Sequence, residues 1–161
     1  MKLFSQLLLD ELTARAAASP RLRAHHNIHA SGEDRVQRFL VAARCDTYIR
    51  PHRHAAKSEM ALVIRGQFAV LTFDAQGRVT GRYRVGTGTD NLGFETPHAT
   101  WHTLLALTDD AAFLEIKEGP YDPATASEFA PWAPPEGHES VPGFLRRLRD
   151  AQPGSVLSES G

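Results

Sequence analysis

Two histidines and a carboxylate stand close together in the run Tyr48-Ile49-Arg50-Pro51-His52-Arg53-His54-Ala55-Ala56-Lys57-Ser58-Glu59. Residues two apart on a strand share a face, so His52 and His54 present their imidazoles on the same side. Four residues of turn follow and Glu59 opens the next strand, so a hairpin return sets its carboxylate beside them. Gly66 then marks a tight turn into the strand after that. A second run, Glu95-Thr96-Pro97-His98-Ala99-Thr100-Trp101-His102, supplies a fourth donor. Pro97 and Ala99 suit a tight turn, and His102 begins the strand beyond it. Three imidazoles and one carboxylate form a mixed N/O set. Such a set suits one divalent ion of Fe, Mn, Co, Ni, Cu or Zn, with one or two positions left for water or substrate. A lone His-x-His on a strand is ordinarily a pair of polar residues; the carboxylate at its offset and the Pro-x-Ala-x-x-His run make it a ligand set. His98 lies in the turn, on the opposite parity from a strand-mounted site, and stays outside the set.

Strand parity nominates further groups. Tyr48 and Arg50 share the face of His52 and His54, which would place a phenol and a guanidinium above the metal. Arg50 is then either a buried cation paired with Glu95 or with an anionic substrate group, or a solvated residue at the mouth of the site. In Phe113-Leu114-Glu115-Ile116-Lys117, the aliphatic pair lies on one face and Phe113, Glu115 and Lys117 on the other. Glu115 and Lys117 line the cavity if that pair packs outward, and form a solvated edge if it does not. Tyr48, Arg50, Glu115 and Lys117 are accordingly the candidates for proton transfer and substrate contact. Tyr121 and Trp132 read as packing anchors or as a pocket rim, and His25, His26 and His29 as surface residues or a cover over the mouth.

The elements that must position these groups can be traced along the chain. Ser5 caps a helix over residues 5 to 18, with Leu8, Leu9, Leu12 and Ala16 at helical spacing and Pro20 ending it. Arg21 to Glu33 reads as irregular, and Asp34 to Ala43 as either a short helix or a strand. From Cys45 onward, short apolar runs alternate with turn signals, as in a β-sandwich or barrel. The expected strands are Thr47–His54, Glu59–Arg65, Gln67–Phe73, Val79–Val85, Asn91–Thr96, His102–Leu107 and Ala111–Lys117. Asp74-Ala75-Gln76-Gly77 reads as a hairpin turn, with Gly77 free to take positive φ. Beyond Lys117 the chain is proline-rich, has lost many backbone donors, and should wrap the barrel surface. Phe144 to Leu148 can form one last helix, and the Gly, Ser, Pro and Glu content from Ala151 predicts disorder. The expected organisation is therefore an N-terminal helix over 1–20, a metal-binding barrel over 21–137, and a helix with a disordered tail over 138–161.

The chain of 161 residues has the size of one domain, and its 42% hydrophobic and 23% charged residues are ordinary for a globular protein. A formal net charge of -1 gives no broad attraction to nucleic acid or to anionic membrane. The N-terminal apolar run ends at Asp10, too short for a signal sequence or a membrane span. Cys45 is the single cysteine, which suits a reducing compartment. The expectation is a cytoplasmic protein with no nucleic-acid or membrane partner. Its ligand is expected to be small and polar or anionic, and exposed strand edges favour a homodimer.

At the metal-binding residues the sequence resembles the cupin superfamily. The first cupin motif is matched as His52-x-His54-x4-Glu59-x6-Gly66, and the second in part as Pro97-x-Ala99-x-x-His102. Asp46, Asn91 and Ala99 stand where glycines are expected, and Ala106 where an asparagine is. None of these is a ligand. The sequence is also similar to the WbuC family of cupin-fold metalloproteins, found among bacterial O-antigen biosynthesis genes. The similarity is carried by Tyr48 to His54, Phe73-Asp74-x-x-Gly77, Trp101-His102, Glu115-Ile116-Lys117-x-Gly119-Pro120-Tyr121, Phe129 to Pro134 and Glu136, with Asn27-x-His29 and Gln37-Arg38 upstream. It spans roughly residues 20 to 137. The resemblance implies an all-β fold, a double-stranded β-helix (jelly-roll) barrel with one metal inside, and leaves the reaction open. Three functions fit: a metal-dependent enzyme on a small polar or sugar-type substrate, a non-catalytic binding or sensing module, and an iron-dependent dioxygenase.

Overall fold

A computed structural model describes residues 1–158. Helix α1 (Gln6–Ala18) begins where the Ser5 hydroxyl accepts the Leu8 amide at 3.2 Å. Its buried face is Leu9, Leu12 and Ala16, spaced to lie on one side. Ten strands follow. They are β1 (Arg23–Asn27), β2 (Val36–Ala43), β3 (His52–Arg53), β4 (Glu59–Arg65), β5 (Gln67–Phe73), β6 (Val79–Gly86), β7 (Gly93–Thr96), β8 (Trp101–Ala106), β9 (Ala111–Glu118) and β10 (Glu128–Phe129). Helix α2 (Val141–Asp150) comes after them. The strands form two five-stranded antiparallel sheets, ordered β1-β2-β9-β4-β7 and β10-β3-β8-β5-β6. This is a jelly-roll arrangement.

Three apolar layers hold it. Between the sheets lie Ala61, Phe68, Val70, Val85, Leu104 and Phe113. Outside the second sheet, Ala69, Leu71, Phe73, Trp101 and Leu105 are covered by the proline-rich segment through Ala130 and Ala133 and by Phe144, Leu145 and Leu148 of α2. With both faces covered, all six residues of β8 are buried. Outside the first sheet, α1 covers Leu40, Ala42 and Ala112. Gly66 makes the β4–β5 turn at φ +66°, and a Cβ there would stand 2.9 Å from the Ala111 Cα.

The structure corrects several expectations. Arg21 to Glu33 is not irregular throughout, because Arg23–Asn27 pairs with Phe39–Ala43 along its whole length. Residues 36–43 are strand, not helix. The strand expected over Thr47–His54 is reduced to His52–Arg53. Pro51 lacks an amide donor there, and the residues before it are tied to the C-terminal wrap instead of to a neighbouring strand. The tail from Ala151 is not disordered as far as it is described. Val156 bridges Arg78, and Leu157 is buried against the α2 layer. Residues 159–161, included in that expectation, lie outside the described residues. No helix among the described residues is long and apolar enough to cross a membrane.

Candidate metal centre

The four expected donors come together. Ligand atoms of His52, His54, Glu59 and His102 lie within 4.8 Å of one another. The sheets explain how. His52 of β3 stands directly opposite His102 of β8, so the two rings share one face, with centroids 4.5 Å apart. Glu59 begins β4 on the facing sheet and points inward between Thr96 and Lys117, its partners on either side. The turn before His102 is fastened to the segment just after β3 by the Ala99 amide, which donates to the His54 carbonyl at 2.7 Å. Ala99 does this at φ +59°, a left-handed conformation that ordinarily favours glycine. The turn geometry thus survives the replacement of the motif glycine by alanine.

Each imidazole is oriented by a backbone carbonyl. His52 Nδ1 faces Arg50 O at 2.9 Å, His54 Nδ1 faces Ala126 O at 2.6 Å, and His102 Nδ1 faces Thr100 O at 2.9 Å. A carbonyl only accepts, so each Nδ1 carries its hydrogen and each Nε2 is the nitrogen available to the cluster. His102 Nε2 is buried without a hydrogen-bond partner, and stands 3.8 Å from Glu59 Oε1. A buried imidazole nitrogen left without a partner is costly in a protein interior, and a cation among these donors would satisfy it. Burial, reinforced by the nearby His102, pushes the His52 pKa down to about 3, which keeps that ring neutral. Burial alone would lower His54 too, but Glu59, whose Oε2 lies 2.8 Å from His54 Nε2, raises it. Burial also works against the Glu59 carboxylate. The His102 and His54 imidazoles and the Lys117 ammonium outweigh it and hold that carboxyl well below its usual range. The donor set therefore fits a divalent transition ion: neutral or displaceable imidazole nitrogens, one carboxylate, and rings oriented from behind.

Glu115 and Lys117 lie inside. Lys117 Nζ is 3.4 Å from Glu59 Oε2 and 2.6 Å from Glu115 Oε1. Burial acts to lower the Lys117 pKa, yet Glu115 and Glu59 together raise it. Burial and the charge of Glu59 raise the Glu115 carboxyl despite the opposing lysine. Both line a cavity of about 640 Å³ bounded by the inner faces of β1, β2 and β9, with Arg23, His25, Asn27, Phe39 and Tyr121 among its walls. Lys117 is the link between this cavity and the cluster.

Tyr48 and Arg50 are placed elsewhere, and the expected position above the metal does not hold. The Tyr48 hydroxyl donates to Pro134 O at 2.9 Å, and its ring packs edge-on to Phe144. Arg50 donates from Nε to Ala133 O at 3.0 Å and from a terminal nitrogen to Ala130 O at 3.1 Å. Its guanidinium also lies over the Phe129 ring. Parity failed because residues 47–51 are not strand, so period-two alternation has no ladder to enforce it. Glu95 is exposed and His98 lies outside the cluster. Trp132 packs against Phe73, whereas Tyr121 reaches the cavity rim. Of the upstream histidines, His29 is buried, its Nδ1 accepting the Arg38 amide at 3.0 Å, while His25 borders the cavity. The cavity-facing placement of Arg23 and Asn27 was missed in the sequence, whereas His25 was among the histidines expected as surface residues or a cover over the mouth. The signal is the alternation of these polar residues with Ala24, His26 and Ile28.

Comparison with known proteins agrees with this architecture. The structure of KdgF from Halomonas sp. is similar at 19% identity and TM-score 0.50, covering 65% of this chain and 84% of that one. The capsular polysaccharide assembling protein CapF from Staphylococcus aureus is similar at 18% identity and TM-score 0.58. There the match covers 69% of this chain but only 30% of CapF. A recombinant oxalate oxidase in complex with glycolate is similar at 15% identity and TM-score 0.53, covering 83% of this chain and 68% of that one. At these identities the likeness establishes the cupin fold. No curated protein matches the chain in sequence. One family model does, over residues 4–85, a stretch that carries α1, the first six strands, His52, His54 and Glu59. With half of the chain matched, it belongs to the family described as a domain of unknown function, DUF6016.

Proposed function

We propose that this protein is a metal-dependent enzyme acting on a small anionic, sugar-type molecule held in the cavity beside the metal. The observation that carries this reading is Lys117, which touches the metal-ligand carboxylate on one side and faces the polar cavity on the other. A cavity of this volume suits a small metabolite. Arg23, His25, Asn27 and Lys117 offer it donors, and Phe39 and Tyr121 offer ring faces. His52, His54, Glu59 and His102 would hold the ion, which when bound supplies Lewis-acid polarisation or an activated water. Lys117 would bind and orient an anionic group, and Glu115, in contact with it, would hold or accept a proton. The sugar assignment is supported by the resemblance to the O-antigen-associated WbuC family and by the likeness in fold to a capsular polysaccharide assembling protein.

Calorimetric titration of metal-loaded protein with a panel of sugar acids and hydroxycarboxylates tests this. Binding that disappears in the chelated protein and weakens in Lys117→Met is expected, with a new product detected by mass spectrometry. A ligand that binds and returns unchanged would favour a binding or sensing module. Binding indifferent to both metal and Lys117 would refute the reading.

A further inference from the structure

Most polar groups around the cavity beside the metal centre already have partners. Arg23 donates to Tyr48 O and to Glu136, and Lys117 to Glu59 and Glu115. Two buried side chains in its wall each keep one polar atom without a partner among the described residues. Gln37, 2% exposed, stands beside Lys117 in the ladder, and Lys117 stands beside Glu59. The inner faces of β2, β9 and β4 thus carry Gln37, Lys117 and Glu59 in one row. Gln37 Nε2 donates to Asp34 O at 2.7 Å and to Gly32 O at 3.1 Å. Carbonyl oxygens only accept, so these two bonds identify the nitrogen end and engage both of its hydrogens. That leaves Oε1, an acceptor, for the cavity that Gln37 lines.

His29 supplies the opposite character. The Ile28 amide donates to Arg38 O at 2.9 Å, which carries the ladder past Asn27 and brings His29 toward the Gln37 end of the row. The amide and carbonyl of one strand residue point to the same side, so the Arg38 amide faces β1 as well. Its acceptor there is His29 Nδ1, at 3.0 Å. A ring nitrogen that receives an amide hydrogen carries none of its own, which puts the ring hydrogen on Nε2. His29 is 7% exposed and lines the cavity. Its ring stands edge-on to Phe39 with centroids 4.8 Å apart, and Lys117 Nζ lies 5.3 Å from the same Phe39 centroid. An oriented acceptor and an oriented donor therefore lie together beside Lys117.

We propose that Gln37 and His29 read a hydroxyl group of the ligand, which is accordingly a hydroxylated acid. The hydroxyl donates to Gln37 Oε1 and accepts from His29 Nε2–H, while the anionic group meets Lys117. This narrows the reading of the cavity proposed above and rests on it. A carboxylate has no hydrogen for Gln37, an ammonium has no lone pair for His29, and an alkyl group leaves both unpaired. A hydroxyl satisfies both at once. A site built round such a pair rejects the analogue lacking the hydroxyl, because its buried groups are then left without partners. Selection of the ligand thus falls to β2 and the end of β1, apart from the metal ligands.

Calorimetry on the zinc-loaded full chain tests this, with a panel of hexonates and hexuronates and then the singly deoxygenated analogues of the tightest binder. Loss of one particular hydroxyl should weaken binding about 100-fold, and loss of any other less than about 10-fold. His29→Phe keeps a ring against Phe39 and should weaken the parent acid but not that deoxy analogue, so the ratio between them falls close to one. A purely structural role would weaken both alike. The tautomer is read in the wild type, with no variant required to fold, by long-range proton–nitrogen correlation of the imidazole. Hydrogen on Nε2 is expected, with its resonance shifting when the parent acid is added. Deoxy analogues that all bind as tightly as the parent, an unchanged ratio in folded His29→Phe, or a His29 hydrogen on Nδ1 would each overturn the inference and leave the reading of the cavity standing. If no sugar acid binds, that reading fails and the inference falls with it.

Discussion

Two pairs of residues flank the metal ligands in sequence, Tyr48 with Arg50 and Glu115 with Lys117, and the fold sends them to opposite tasks. Glu115 and Lys117 sit on a full-length strand between two others, so the ladder dictates that their side chains point inward to Glu59. Tyr48 and Arg50 precede a proline in a segment with no ladder. They turn to the proline-rich wrap, where their donors meet the carbonyls of Ala130, Ala133 and Pro134. The wrap is poor in amides and covers an apolar sheet face, so its carbonyls need side-chain donors. A polar residue beside a metal site is thus assigned by where its hydrogen bonds are demanded, and proximity in sequence to the ligands is a weak guide.

The sharpest separation of the two regions comes from removing the metal. Metal bound only by the native state stabilises by mass action, about 3–4 kcal/mol at a few hundred to a thousand times its dissociation constant. Chelation should therefore lower the melting temperature while far-UV strand signal persists at 25 °C, since the barrel has its own core. Loss of that signal on chelation would mean the two regions are not separable. Arg50→Ala should act the other way round. Two partly buried carbonyls lose a charged donor, which costs about 2–3 kcal/mol in denaturant melts, with metal content and ligand affinity unchanged. If Arg50→Ala keeps full stability and loses ligand binding, the division drawn here between the pairs is wrong.

Lys117→Met should keep the metal and lower ligand affinity by about 10-fold, roughly the loss of one charge-assisted hydrogen bond. Retained affinity in that calorimetric titration would move the ligand out of the cavity. The smallest effect belongs to Tyr48→Phe, which removes one hydrogen bond to Pro134 O and should cost about 1 kcal/mol with no change at the metal.

The same contrast explains how much could be read in advance. Glu59–Arg65 and Gln67–Phe73 are bounded as expected, because Gly66 separates a run that alternates, with one face on the core, from a continuous apolar run buried on both faces. The ligand set was legible because three of its members lie within eight residues, although the short turn between them carries the chain from β3 to β4 on the facing sheet and not into the expected hairpin, and the turn ending at His102 has its own local signature. The cavity was not legible. Strand β1, at the edge of its sheet, turns Arg23, His25 and Asn27 toward the cavity, where His25 and Asn27 remain exposed at its border, so their polar character reads as an ordinary solvated face. The tail was misread for a related reason. Its composition is that of a solvated segment, yet a single apolar pair, Val156 and Leu157, returns it to the Arg78 edge and the α2 layer.

Whether His52, His54, Glu59 and His102 hold one divalent transition ion is decided by metal analysis of protein purified without chelator or affinity metal. Close to one transition ion per chain is expected in the wild type, and loss of nearly all of it in His102→Ala, which removes the buried nitrogen that lacks a hydrogen-bond partner. A wild-type protein that neither carries nor takes up a divalent transition metal, or a His102→Ala variant that retains the wild-type content, would contradict it.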